Sequence, residues 1–334
     1  MALAVASAPT ASDSSGMLLF APNHSVAFAR VVAQLLGHPL SPSEEREFDG
    51  GEHKMRPLAD VQGRDVCVMQ STCGDAQASA NDKLCRLLFF VGALKDAGAR
   101  NVTAVVPYLA YARKDRRTQP QDPVTTRYVA AMFEAAGVDR VVVLDVHNEA
   151  AFDNAFRRPT VRLEAAEVFA TALAADLGAK SIVVASPDVG GVKRAQRMRE
   201  VLARQLGRDV DFAFVEKRRA LGVVSGQTLV GQVEGSEVVL YDDMIATGTT
   251  ILRAAQAARR AGAARVYVAA PHAAFVPEAM QMFDQDGPDA LLVSDSIALA
   301  PPFSAKVGER LRICSVAPLV ARTIAELLRP GVGN

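Results

Sequence analysis

The chain has no tryptophan and takes only 6% of its residues from Phe, Trp and Tyr, so its interior has to be built from aliphatic side chains. Net charge is also missing: 37 basic residues balance 37 acidic ones. General nucleic-acid coats and basic membrane-surface proteins depend on surplus positive charge. Neither a nucleic acid nor a membrane is therefore an expected partner, whereas an anionic small molecule needs only local charge. No apolar run approaches the roughly 18 residues of a membrane helix. Cysteine is scarce, and Cys67, Cys73, Cys85 and Cys314 include no CxxC pair and no zinc-ligand spacing. Four reduced thiols in a cytoplasmic protein are expected. Common nucleotide and hydrolase signatures are missing as well: there is no GxxxxGK(S/T) loop, no GxGxxG opening a helix after a strand, no HRD/DFG pair and no GxSxG elbow.

What the chain does have is aliphatic core material. Half of its 334 residues are hydrophobic, which excludes disordered and fibrous architectures and suits about two domains. Short Val- and Ile-rich runs at 65–70, 102–106, 140–144, 181–185, 211–215, 237–241 and 265–270 read as strands. Their nearly continuous apolar character predicts parallel sheets buried on both faces. Between them, 81–97, 124–136, 165–177, 192–206 and 250–261 place apolar residues at three- and four-residue spacing, as helices do. The repeated strand–helix unit predicts an α/β fold. Polar residues and proline interrupt the alternation at 152–161, which divides the chain into a loose tail (1–16), a first domain (17–158) and a second (159–334). In such folds ligands bind beyond the carboxyl ends of strands.

The most specific segment is Val238-Val-Leu-Tyr-Asp-Asp-Met-Ile-Ala-Thr-Gly-Thr-Thr250. A strand delivers two acids, then a bend rich in threonine, then an amphipathic helix. Asp242 and Asp243 suit the vicinal hydroxyls of a sugar. Thr247, Gly248, Thr249 and Thr250 offer backbone N–H groups and hydroxyls at a helix start, a natural phosphate cradle. Acids and cradle together predict a pentose 5-phosphate.

Other candidates read less specifically. Arg113, Lys114, Arg116 and Arg117 crowd four cations into five residues, which suits a polyphosphate as well as a solvated turn. His147 stands beside Asp145 and Glu149, facing a cation or serving structure. Asp188, in Ser186-Pro-Asp-Val-Gly-Gly191, is the more natural Mg²⁺ ligand, since that ion prefers oxygen. Lys217, Arg218 and Arg219 follow a strand and read as a mobile, positively charged flap.

Together these segments resemble the ribose-phosphate pyrophosphokinase family. The likeness runs from about residue 18 to residue 328 and takes in the 238–250 segment. It also includes Phe48-Asp-Gly-Gly-Glu52, Gln70-Ser-Thr72, Pro107-Tyr-Leu-Ala-Tyr-Ala-Arg-Lys-Asp-Arg-Arg117, Asp145-Val-His-Asn-Glu149, Ser186 to Gly191 and Glu216-Lys-Arg-Arg219. The resemblance implies two similar domains of type I phosphoribosyltransferase-like fold. It also implies a cytoplasmic enzyme that, with Mg²⁺, transfers pyrophosphate from ATP to ribose 5-phosphate. By the same resemblance Gly50, Gly51 and Glu52 help hold adenine, Arg113, Lys114 and Arg116 contact ATP, and His147 and Asp188 serve the metal. Asp242, Asp243 and the 246–250 bend hold ribose 5-phosphate, Lys217 and Arg219 stabilise the transition state, and the chain forms a homo-oligomer, a hexamer or smaller.

Four positions depart from the family's usual residues. Gly50 and Ala246 stand where Asp is usual, Thr249 where Gly is usual, and Lys114 where Gln is common. A threonine at 249 is expected to resist the positive φ a glycine permits. A non-catalytic regulatory homologue and a phosphoribosyltransferase remain the alternative readings.

Overall fold

The computed structural model describes residues 16–220, 223–283 and 287–327. The expected tail therefore lies outside the described residues, apart from Gly16.

In chain order the first half contains β1 (Leu18–Phe20), α1 (Val26–Leu36), β2 (Ser43–Glu47), β3 (His53–Pro57), β4 (Asp65–Met69) and α2 (Ala80–Asp96). It continues with β5 (Asn101–Val106), α3 (Thr125–Ala135), β6 (Arg140–Leu144), α4 (Glu149–Ala155) and β7 (Thr160–Leu163). β1, β4, β5, β6 and β7 form one parallel sheet in that order, while β2 and β3 make a separate antiparallel hairpin. α2 starts where its sequence tells it to: the Ser79 side chain accepts from the Asp82 N–H while Asp82 accepts from the Ser79 N–H, a reciprocal cap.

The second half runs α5 (Ala166–Ala174), β8 (Ile182–Ser186), α6 (Val192–Leu206), β9 (Asp211–Ala220), β10 (Val223–Val230), β11 (Glu237–Tyr241), β12 (Met244–Ile245) and α7 (Thr249–Arg260). β13 (Arg265–Ala270), β14 (His272–Ala273), β15 (Ala290–Ser294), α8 (Pro301–Val307), β16 (Leu311–Cys314) and α9 (Ala317–Leu327) complete it. The main sheet has the order β10-β9-β8-β11-β13-β15-β16 and is parallel except for β10. The order reverses between β8 and β11, and the crevice at such a switch point is where open α/β sheets bind ligands.

Each strand divides its side chains between two cores. In β4, Val66 and Val68 face a cluster with Leu87 and Phe90 of α2, whereas Cys67 and Met69 join a cluster lying between the two sheets. β11 does the same: Val238 and Leu240 pack with Ile251 and Ala255 of α7, while Val239 and Tyr241 enter the shared cluster. That middle layer also takes in Phe169 of α5, Met198 of α6 and Val320 of α9. The halves are thus welded through one continuous apolar layer. β7 carries the first sheet past the expected division after residue 158, and α9 packs on α1 across it.

One expectation about local structure changes. The stretch read as a flap is extended backbone: β9 runs through Ala220, with Lys217 opposite Gln227 and Arg219 opposite Val224 on β10. The side chains of residues 217–227 lie outside the described set.

Candidate active site

Four strand ends meet at one cleft of about 930 Å³ between the sheets. From the first sheet come the turn after β5, with Arg113, Lys114 and Arg116, and the turn after β6, with His147. The second sheet contributes Asp188 after β8, and Asp242, Asp243, Ala246, Thr247, Gly248 and Thr250 after β11. These expected residues line the cleft together. Gly50, Gly51 and Glu52 occupy the turn between β2 and β3 and do not line it. Thr249 is not in the lining either, although its hydroxyl is 3.2 Å from that of Thr247.

The acid pair is held from both sides. Asp243 is only 4% exposed, and its Oδ2 lies 2.7 Å from His147 Nδ1, a contact between the two halves of the chain. Arg194 Nη1 donates to Asp242 Oδ1 at 3.0 Å and lies 3.2 Å from Asp243 Oδ1. Its Nη2 donates to the His147 carbonyl at 3.0 Å. Burial works against the Asp243 carboxylate, but the His147 hydrogen bond and Arg194 outweigh it and hold that group well below the usual range. Burial and the neighbouring Asp243 charge push Asp242 the opposite way. The Asp243 hydrogen bond raises the His147 imidazole, against burial. The two adjacent carboxyls are thus pushed in opposite directions, Asp243 down and Asp242 up.

Close packing explains one glycine here. A Cβ on Gly191 would meet Ser186 Oγ at 2.8 Å and push aside the hydroxyl that donates to the Asp188 carbonyl, which glycine leaves in place. Asp188 caps that turn, accepting from the N–H groups of Gly190 and Gly191 at 2.9 and 3.2 Å.

The threonine-rich bend is an open helix start. Gly248, at φ +74, is the residue before α7 and has no side chain to cap it, and among the described residues only the Thr249 N–H finds a side-chain acceptor, the Thr247 hydroxyl at a long 3.4 Å. Its first-turn N–H groups therefore lack intrahelical partners and carry the positive end of the helix dipole. The left-handed conformation falls on Gly248, and Thr249 is already helical. The expected resistance at Thr249 does not arise.

On the opposite wall, Lys114 Nζ donates to Asp122 Oδ2 at 2.7 Å, and this bond holds the Asp122 carboxyl well below its ordinary value. Next to it, Asn148 donates to Asp115 at 2.6 Å. Glu149 accepts from Arg197 of α6 at 2.7 Å and from Arg162 at 2.6 Å, a second ionic tie between the halves.

Magnesium takes oxygen ligands and usually keeps water and substrate phosphates among them. Asp188 supplies a carboxylate at the cleft, and His147, whose Nδ1 is committed to Asp243, has only Nε2 to turn toward a hydrated ion. Among the described residues no three His, Cys, Asp or Glu side chains converge on one point. This donor set fits an ion carried in with phosphates better than one caged by protein alone.

Arg194 and His272 were not singled out from the sequence. Arg194 had a signal: Lys193 and Arg194 sit in the first turn of α6, where the helix dipole disfavours cations. His272, discussed below, had none.

Relatives are found across both halves of the chain. Residues 17–137 match the N-terminal domain of ribose phosphate pyrophosphokinase, and residues 157–281 match a phosphoribosyl transferase domain. The chain is 35% identical over 310 residues to ribose-phosphate pyrophosphokinase of Campylobacter jejuni subsp. jejuni serotype O:2, covering 92% of this chain and 95% of that protein. It is 36% identical over 322 residues to the Ralstonia nicotianae protein of the same name, covering 95% and 96%. The crystal structure of phosphoribosylpyrophosphate synthetase from Mycobacterium smegmatis superposes with a TM-score of 0.85 at 31% identity, covering 94% of this chain and 99% of that one.

Proposed function

Because this chain belongs to the ribose-phosphate pyrophosphokinase family, we propose that it transfers the pyrophosphoryl group of ATP to the C1 hydroxyl of ribose 5-phosphate. The products are phosphoribosyl pyrophosphate and AMP. One observation carries the reading: the acid pair and the start of α7 share a single cleft with the cationic turn 113–116. A sugar phosphate and a nucleotide polyphosphate need those two surfaces, in that proximity.

In this reading Asp242 and Asp243 accept hydrogen bonds from the ribose hydroxyls, and residues 246–250 hold the 5-phosphate through N–H and hydroxyl donors. Arg113, Lys114 and Arg116 bind the ATP phosphates. Mg²⁺ near Asp188 and His147 neutralises the polyphosphate when bound. The C1 oxygen bonds to the β-phosphorus as the β-phosphorus parts from the oxygen it shares with the α-phosphate, and the hydroxyl proton passes to the medium. Positioning and charge stabilisation dominate such transfers. Lys217 and Arg219 act on the departing charge from the β9–β10 hairpin.

Assigning Gly50, Gly51 and Glu52 to adenine requires a hairpin other than this chain's own, since it does not line the cleft. A homo-oligomer, hexameric or smaller, supplies one. ATP and a sugar phosphate meet in the cytoplasm, where the free thiols are at ease.

The test is AMP release from ATP that requires ribose 5-phosphate and Mg²⁺ together and stops with a chelator. No AMP at any phosphate concentration would overturn the proposal and favour a regulatory homologue.

A further inference from the structure

Beneath the cleft one buried residue touches three of the four turns that build it, those after β5, β6 and β11. His272 opens β14, is 4% exposed, and does not line the main cleft. β14 pairs in parallel with β12, with His272 opposite Met244, and the His272 N–H donates to the Asp243 carbonyl at 3.0 Å. This ties it to the link between the acid pair and the phosphate bend. Its ring reaches into the other half of the molecule. Nε2 lies 3.0 Å from the carbonyl oxygen of Leu144, at the end of β6 and just before His147. The ring also packs edge-on against Tyr108, 5.1 Å between centroids, at the start of the turn that leads to Arg113.

A carbonyl accepts only, so Nε2 carries the ring hydrogen and donates to Leu144. Burial pushes the imidazole down to about 4, leaving the ring neutral, and Nδ1 then accepts from the Ser296 hydroxyl at 2.9 Å, which leaves the Pro271 carbonyl to the Ser294 hydroxyl at 2.6 Å. Both nitrogens are committed, which fixes the tautomer and the ring plane. His272 also lines a void of about 20 Å³ with Arg113, His147 and Asp243. No other contact described above joins the sugar side, the His147 turn and the nucleotide side at a single residue.

We infer that His272 is a positioning residue, which sets the register between the nucleotide half and the sugar half of the cleft through its bonds to Leu144 and the Asp243–Met244 link. The inference rests on the proposed pyrophosphoryl transfer. In that reaction each substrate is bound mainly by one half, so a slip between halves leaves each binding event intact and spoils their alignment. A misplacement of about 1 Å is enough to cost roughly 100-fold in rate.

His272→Leu keeps the bulk of the ring and removes its N–H, while His272→Gln returns a donor near the position of Nε2. Expected for His272→Leu is a kcat lowered by about 100-fold, with dissociation constants for ATP and for ribose 5-phosphate, each measured alone by calorimetry, within twofold of the parent. His272→Gln should regain at least tenfold of the lost rate. Ser296→Ala, which removes the Nδ1 partner, should lower kcat in the same direction by less. Equal kcat in the Leu and Gln variants, weakened binding of both substrates in step with kcat, or failure of both variants to fold would overturn the inference in favour of a packing role. An inactive parent protein would instead overturn the proposed transfer, so the two failures are distinct.

Discussion

His147 Nδ1 and Asp243 Oδ2 lie 2.7 Å apart although 96 residues separate them in the chain, and this contact closes the first half of the molecule onto the second at the floor of the cleft. Arg194 completes the arrangement by donating to Asp242 and to the His147 carbonyl. The acid pair is therefore a joint product of both sheets, even though its two residues adjoin in sequence.

Replacing Arg194 with Met removes the cation shared by two buried carboxyls. Charge-assisted hydrogen bonds of this kind contribute about 1.5–3 kcal/mol. The Michaelis constant for ribose 5-phosphate should rise by roughly tenfold or more, while that for ATP moves little. Steady-state kinetics with each substrate varied in turn checks it; an effect confined to ATP would contradict the arrangement.

The phosphate bend makes a paired prediction. Gly248→Ala places a Cβ at φ +74 and within 3.1 Å of Met282 Sδ, a conformation costing about 1–3 kcal/mol. Ribose 5-phosphate binding should weaken by roughly tenfold. Thr249→Gly should weaken binding less, because residue 249 already lies in the helix without strain and loses only a hydroxyl outside the cleft lining. Isothermal titration of both variants reads the difference.

At the hairpin, Lys217→Ala should lower turnover by roughly 10³-fold with ribose 5-phosphate affinity within twofold. Equal activity in this variant would count heavily against a transition-state role for the basic triplet.

Acid sensitivity follows from His272. Its folded pKa of about 4 lies below the ordinary 6.5, so the unfolded chain takes the proton first as pH falls. Stability from this group is complete above pH 6.5 and is lost between 6.5 and 4, up to about 3 kcal/mol at roughly 1.4 kcal/mol per unit. His272→Gln should flatten that part of the profile. Denaturant unfolding of both proteins at pH 7.5, 5.5 and 4.5 tests the sign.

Much of this was legible in the sequence because it is local. Strands such as 65–69 and 237–241 are continuous apolar runs, and the acids, bend and helix start of the 238–250 segment are neighbours in the chain. What was not legible depends on distant partners or carries no periodic signal. β2, Ser43-Glu-Glu-Arg-Glu47, is almost wholly charged and forms a strand through its pairing with β3. β7 is four residues long and belongs to the first sheet by pairing alone. Arg194 meets Asp242 across 48 residues and His272 meets Leu144 across 128, separations over which composition and spacing are silent. The basic triplet at 217–219 reads as a mobile flap from its charge, yet β10 supplies it with an antiparallel partner.

The most direct test of the whole account is a crystal structure of the protein soaked with ribose 5-phosphate. The 5-phosphate is predicted at the start of α7, within hydrogen-bond distance of the N–H groups of residues 248–250, with the ring hydroxyls on Asp242 and Asp243 and C1 turned toward Arg113 and Lys114. A sugar phosphate seated elsewhere, or bound with C1 facing away from the cationic turn, would contradict it.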